Sequence, residues 1–163
     1  MSVIISNASP LIGLAGIELL HILKELWSEI IIPNAVYNEV VIKGKGKQGC
    51  NTIAKACKKW IQVVFVKNTQ EVEALKAVLD EGEAEVIALG QELKADLLLL
   101  DNREPRVFAR TINLKVIGTL GIISLAWQKG VIKEPVKEVN KLRLNGFWIS
   151  EKLIEQIKLD IGI

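Results

Sequence analysis

One histidine and two cysteines are all that 163 residues supply of the common nitrogen and sulfur ligands. A single imidazole cannot build a zinc site or a histidine-based triad alone, so His21 reads as a structural residue. Cys50 and Cys57 lack the spacing of a CxxC pair, and two thiols make no disulfide framework. They fit a reduced, cytoplasmic chain. No apolar run approaches the ~20 residues of a membrane span. Met1–Asn7 lacks a basic segment followed by a long apolar one, so no signal peptide is expected. An excess of one charge is missing too. The 21 Lys and Arg residues nearly balance 19 Asp and Glu, for a formal charge of +2, so overall charge does not mark a nucleic-acid binder. Aromatic residues are only 5% of the chain, which leaves the core to aliphatic side chains.

What is present is an ordinary globular balance, half hydrophobic and a quarter charged. The length suits a single domain over 1–163. Short apolar runs read as buried strands: Val3–Ile5, Ile30–Ile32, Ile61–Val66, Leu97–Leu100 and Lys115–Ile117. Helical patterns lie between them. Ser9 and Pro10 suit the start of a helix over Leu11–Leu26, with Gly13 and Gly16 as weak points. Pro33 opens a helix through about Val41. A glycine- and lysine-rich loop, Lys43 to Gly49, precedes a helix to about Trp60. Glu71–Leu79 and Glu83–Leu93 read as helices separated by a turn at Asp80–Gly82. Further helices run from Asp101 to about Ile112, over Thr119–Gln128, and over about 135–145 and 150–158. This last pair should pack on the domain. Short apolar strands alternating with helices imply a three-layer α/β/α fold with a central parallel sheet.

Sites in such sheets form beyond the carboxyl ends of the strands. Asn7 follows the first strand directly, and Asp101 follows Leu97–Leu100. Asp101 with Glu104 also fits a capping-box-like helix start, which is the plain structural reading. On a helix over 83–93, Glu83 falls roughly 60° from the centre of the buried stripe and Glu85 roughly 100° away. Glu83 thus sits at the buried margin and Glu85 faces water. Glu39 lies one turn beyond Val36 on a helix that is apolar on more than one side. Either Glu39 is a rim residue or it belongs to a site.

Taken in order, these pieces resemble the PIN-domain nucleases, in particular their VapC-like toxin branch. Asn7-Ala8-Ser9-Pro10-Leu11-Ile12 is similar to the opening turn of that family. Ile32 to Val40 is similar to its second strand, proline and acid-bearing helix, and Gly82-Glu83-Ala84-Glu85-Val86-Ile87-Ala88-Leu89 to the next acidic helix. Ala95 to Asp101 resembles the strand ending in the last acid, and Val116 to Gly121 the strand and helix that follow.

The resemblance implies a metal-dependent ribonuclease, the toxin of a toxin–antitoxin pair. Glu39, Glu83 and Asp101 would be the catalytic acids, and with Asn7 they would hold Mg²⁺ or Mn²⁺. Ser9, Arg103, Arg106, Lys43, Lys45 and Lys47 would contact RNA. A small antitoxin would be a partner; apart from the resemblance, an apolar surface formed by Trp27, Trp60, Trp127 and Trp148 would favour a second copy of the chain as another. Where the family usually carries Asp, this chain has the neutral Asn7, and Asn102 adds no charge beside Asp101. An amide oxygen still binds a hard cation but supplies no charge, so metal affinity should be lower. A second reading follows: a PIN-like domain that binds RNA or a partner without cutting. A phosphoacceptor domain built on Asp101 is a poor third, because Asn7 and Gly118-Thr119 supply neither the acidic pair nor the lysine it would need. Trp27, Trp60, Trp127 and Trp148 read most simply as core residues.

Overall fold

The computed structural model describes residues 2–160. Met1 and residues 161–163 of the expected domain lie outside the described residues. Five strands form one sheet: β1 (Ile4–Ser6), β2 (Ile30–Pro33), β3 (Ile61–Val64), β4 (Leu97–Leu99) and β5 (Val116–Ile117). All pairs are parallel, in the order β3-β2-β1-β4-β5. The helices begin with α1 (Ala8–Gly16), α2 (His21–Trp27), α3 (Asn34–Tyr37), α4 (Cys50–Ala56) and α5 (Thr69–Leu75). They continue with α6 (Glu81–Glu92), α7 (Arg103–Thr111), α8 (Thr119–Gln128), α9 (Pro135–Leu144) and α10 (Glu151–Asp160). The α/β fold is the one that the alternating pattern predicts.

The chain winds outward from β1 through β2 to β3, then crosses back to lay β4 on the other flank of β1. The winding direction therefore reverses between β1 and β4. Beyond the carboxyl ends of two such strands the connections diverge and leave a crevice. Register fixes what faces that crevice. Ile4, Ile5 and Ser6 pair with Leu97, Leu98 and Leu99, and the Asn7 amide donates to the Leu99 carbonyl at 3.0 Å. Asn7 and Asp101 thus emerge side by side from the two central strands.

The central strands are apolar because both faces are covered. Ile5, Ile30, Ile32, Leu98 and Leu99 are fully buried, as are Val86, Ile87 and Leu89 of α6. Helices α3, α5 and α7 each pack against α6, while α1 packs against α4, α8 and α9.

Several boundaries differ from the sequence expectations. The long helix over Leu11–Leu26 breaks after Gly16 into α1 and α2, whereas Gly13 stays helical. A β-carbon on Gly13 would lie 3.2 Å from the Phe147 ring, so its bare backbone serves close packing. The helix after Pro33 makes one α-turn and then continues as a π-helical turn over Asn38–Ile42. Helix α4 stops at Ala56, short of Trp60, and α5 at Leu75. The turn expected at Asp80–Gly82 is instead the start of α6, with Asp80 as its N-cap. The His21 side chain is exposed, with Nε2 3.9 Å from Glu25 Oε2 on the same helix. No helix among the described residues is long and apolar enough to cross a membrane.

Candidate active site

The site grows from the two central strand ends and the start of α6. Asp80 caps α6 by accepting from the Glu83 amide at 2.8 Å, and Glu83 reaches back to accept from the Asp80 amide at 3.1 Å. This reciprocal capping box satisfies amides that a helix start leaves unpaired. It also holds Glu83 in place, buried at 6% exposure. A carboxylate so deep needs partners. The second oxygen of Glu83 accepts from Asn102 Nδ2 at 2.7 Å, which ties α6 to the segment after β4.

Asp101 sits at the other strand end. It accepts from Ser9 Oγ at 2.6 Å, from the Thr119 amide at 2.7 Å and from Thr119 Oγ1 at 2.8 Å. These bonds bring together the starts of α1 and α8 and fix the carboxyl group. The expected capping role of Asp101 is not observed. Asn102 occupies the N-cap of α7, and its side chain makes no capping bond there. The capping box belongs to Asp80 and Glu83.

Gly82 marks the centre of the acidic group. A β-carbon placed on it would lie 3.2 Å from Asn7 Oδ1 and 3.6 Å from both Glu39 Oε1 and Asp80 Oδ1. Three oxygens thus face one small space that any larger side chain would fill. Glu39 reaches this space from the π-helical turn, a local widening that shifts side-chain phase and often accompanies functional positions. Burial raises the Glu39 pKa above its ordinary 4.5, and the charges of Asp80 and Glu83 add to the rise, while Lys43 opposes it.

A raised pKa means that ionising Glu39 is harder in the folded protein than in the unfolded chain. Its contribution to stability is therefore fully present below 4.5 and is lost as pH rises through the folded pKa. Glu39→Gln is expected to remove this loss, so the metal-free variant should melt higher than wild type at neutral pH. Melting curves in EDTA across the acid range check this, and an identical pH slope for the two proteins would refute it.

Two cavities open on the site. One, of about 370 Å³, is lined by Asn7, Glu39, Asp80 and Asn102 together with Gln48 and Phe147. The second, of about 670 Å³, is lined by Asp101, Arg106, Ile117, Phe147, Trp148 and Leu153. Ser9 and Asn102 line both. Arg106 stands close to Asp101: a β-carbon on Gly118 would lie 2.6 Å from Arg106 Nη1 and 3.0 Å from Asp101 Oδ1. Burial and the Arg110 charge lower the Arg106 pKa, and Asp101 raises it.

Among the sequence-selected residues, Asn7 and Glu39 converge with Glu83 nearby, and Asp101 is joined to this group through Ser9 and Asn102. Arg106 lines the second cavity. Arg103 does not; it lines a separate depression with Val78 and Val107. Lys43 lies near Glu39, while the exposed Lys45 and Lys47 line neither cavity. Glu85 does turn away from the site, but it does not simply face water. It accepts from the Ala35 amide at 2.9 Å and so closes the start of α3. The sequence does not mark Asp80 or Asn102 as site residues. The Asp80-Glu81-Gly82-Glu83 pattern before an apolar run is a legible capping signal, but it gives no hint that the cap also faces Asn7 and Glu39.

The donors around Gly82 are oxygens, which suit hard cations such as Mg²⁺ and Mn²⁺. No group of three His, Cys, Asp or Glu among the described residues is placed to hold a metal by itself. Asn7, Glu39 and Asp80 would offer a hard cation three oxygens and would leave its remaining positions to water and substrate.

A family model described as a PIN domain matches residues 3–162. No curated protein matches the sequence.

Proposed function

Because the chain belongs to the PIN-domain family, whose members are generally nucleases that typically use divalent metals, we propose that it hydrolyses RNA phosphodiester bonds with Mg²⁺ or Mn²⁺. The observation that carries this reading is the convergence of Asn7, Glu39 and Asp80 oxygens over Gly82, at the crevice between β1 and β4. Asn7, Glu39 and Asp80 would hold the ion. Bound there, it would supply an activated water and neutralise charge on the phosphate. Glu83, held by Asn102 and by the Asp80 amide, would orient water at the edge of this group. Asp101, held by Ser9 and Thr119, would face the substrate from the second cavity. Arg106 beside it would attract the phosphate, a contact that adds affinity without reading sequence.

The toxin role, a small antitoxin, a homodimer and a cytoplasmic location complete the reading, as does the treatment of the whole chain as one domain. The toxin role and the antitoxin are supported by the resemblance of four segments, three of them acid-bearing, to the VapC-like branch. The cytoplasmic location is supported by two free thiols, the single domain by the chain length, and the homodimer by the exposed Trp148. Asn7 favours a second reading, a domain that binds RNA without cutting, because it removes one charge from the cation site.

Purified protein incubated with RNA and Mn²⁺ tests both. Cleavage that EDTA stops, and that Glu83→Gln lowers by about tenfold or more, is the expected result. Intact RNA under every metal condition would sink the ribonuclease reading and leave the second.

A further inference from the structure

The second cavity ends on a residue that the fold itself does not use. Trp148 is 82% exposed, although a tryptophan is a large apolar surface that folding ordinarily covers. Trp27, Trp60 and Trp127 are all partly buried against the core, so the expectation of a core role fails for Trp148 alone. Local structure explains its position. Gly146 has φ of +90°, a left-handed conformation that glycine adopts without strain. The chain turns there after α9, and the Phe147 amide donates to the Leu142 carbonyl at 2.9 Å. Phe147 then packs against the bare backbone of Gly13. Asn145 Nδ2 donates to the Gly16 carbonyl at 2.8 Å and anchors the same turn on α1. Trp148, the next residue, is left standing at the mouth of the cavity.

The lining of this cavity mixes two chemistries. Trp148, Leu153, Ile117 and Leu120 are apolar, and Asp101, Asn102 and Arg106 are polar, with one cation. Its volume of about 670 Å³ is that of a small-molecule site. An apolar protein surface docked here would bury Arg106 and Asp101 against a partner with nothing to offer them. A nucleotide presents both chemistries at once, a flat base and an anionic phosphate. Only an unpaired base shows its face, since a duplex keeps its bases stacked.

We propose that this cavity binds an unpaired base of single-stranded RNA, stacked on Trp148, with the adjoining phosphate directed to Arg106 beside Asp101. The identity of the strand as RNA rests on the ribonuclease reading; the stacking site does not require that the strand be cut. Phe147 and the turn at Gly146 hold the platform in place before the strand arrives, which limits the ordering cost of binding. The preference that follows is for single strands over duplex, with weak discrimination among bases, because every base has a face to stack.

The test is binding of a short single-stranded oligouridylate to the full chain in EDTA, followed by tryptophan fluorescence. Wild type should show quenching on binding. Trp148→Ala should lose most of the quenching and bind about tenfold more weakly, while Trp148→Phe should stay within about threefold of wild type. A duplex of equal length should bind more weakly than the single strand. Because Trp148 is exposed, both variants should melt as wild type does. Equal affinity of Trp148→Ala and wild type would overturn the proposal, as would a wild type that does not bind the oligonucleotide. So would a dimer, seen by sedimentation, that Trp148→Ala separates without changing oligonucleotide affinity. Cleavage that depends on Glu83 but is indifferent to Trp148→Ala would remove the stacking site and keep the ribonuclease. Trp148-dependent binding without any cleavage would do the reverse.

Discussion

Asp101→Ala is expected to lower metal-dependent RNA cleavage by at least about a hundredfold and to destabilise the protein by about 1–3 kcal/mol. Two effects combine. The carboxyl group lines the cavity proposed for substrate, and its loss would leave Arg106 and the starts of α1 and α8 without the anion that orders them around a bound strand. It is also the shared acceptor of Ser9 Oγ, the Thr119 amide and Thr119 Oγ1. Thr119 is fully buried, so its donors would lose their partner with little access to water, and that accounts for the stability cost. Ser9→Ala removes one donor and leaves the acceptor, so it should be milder on both counts. Cleavage of labelled RNA, corrected for the folded fraction from urea melts, separates the effects. Full activity in a destabilised Asp101→Ala protein would make Asp101 a purely structural anchor.

Asn7→Asp should have the opposite sign, tightening Mg²⁺ or Mn²⁺ binding by about tenfold or more. Asn7 is 6% exposed, and its Oδ1 faces the same space as Glu39 and Asp80. A carboxylate there adds a full charge where screening by water is weak. Without metal, that charge meets two like charges, so the variant should melt lower than wild type in EDTA. With metal it should gain more, because a ligand that binds only the folded state stabilises it in proportion to its affinity. Melting temperatures across a Mn²⁺ titration report both trends. If neither protein is stabilised by Mn²⁺, the cation site itself falls. If only the variant is stabilised and only the variant cuts, the wild type is a binding domain with a weakened site.

Much of the site was readable because each piece has a local cause. Asn7 and Asp101 follow apolar runs too short and too purely aliphatic to be anything but buried strands, and such strands end in crevices. Glu83 betrayed itself by helical phase, at the margin of the Val86–Ile87–Leu89 stripe. Other pieces had no such signal. Asp80 looked like part of a turn, since a cap that also serves a site has the same spelling as one that does not. Asp101 and Glu104 spelled a capping box that does not form, because Ser9 and Thr119, distant in sequence, compete for the carboxyl group. Glu85 has the phase of a solvent-facing residue, yet the start of α3 lies within its reach. Arg103 and Arg106 share a helix, and only Arg106 turns toward Asp101.

The strand-and-helix alternation, the aliphatic core and the acids near strand ends were determined by the sequence alone, because periodicity and side-chain hydrophobicity act over a few residues. Tertiary structure decided the rest. The order β3-β2-β1-β4-β5 sets β1 beside β4, and with it Asn7 beside Asp101. The π-helical turn advances Glu39 to Gly82. The close approach of Phe147 to Gly13 leaves Trp148 at the mouth of the site. Each of these depends on which distant segments share a surface, and neither propensity nor spacing within a segment carries that information.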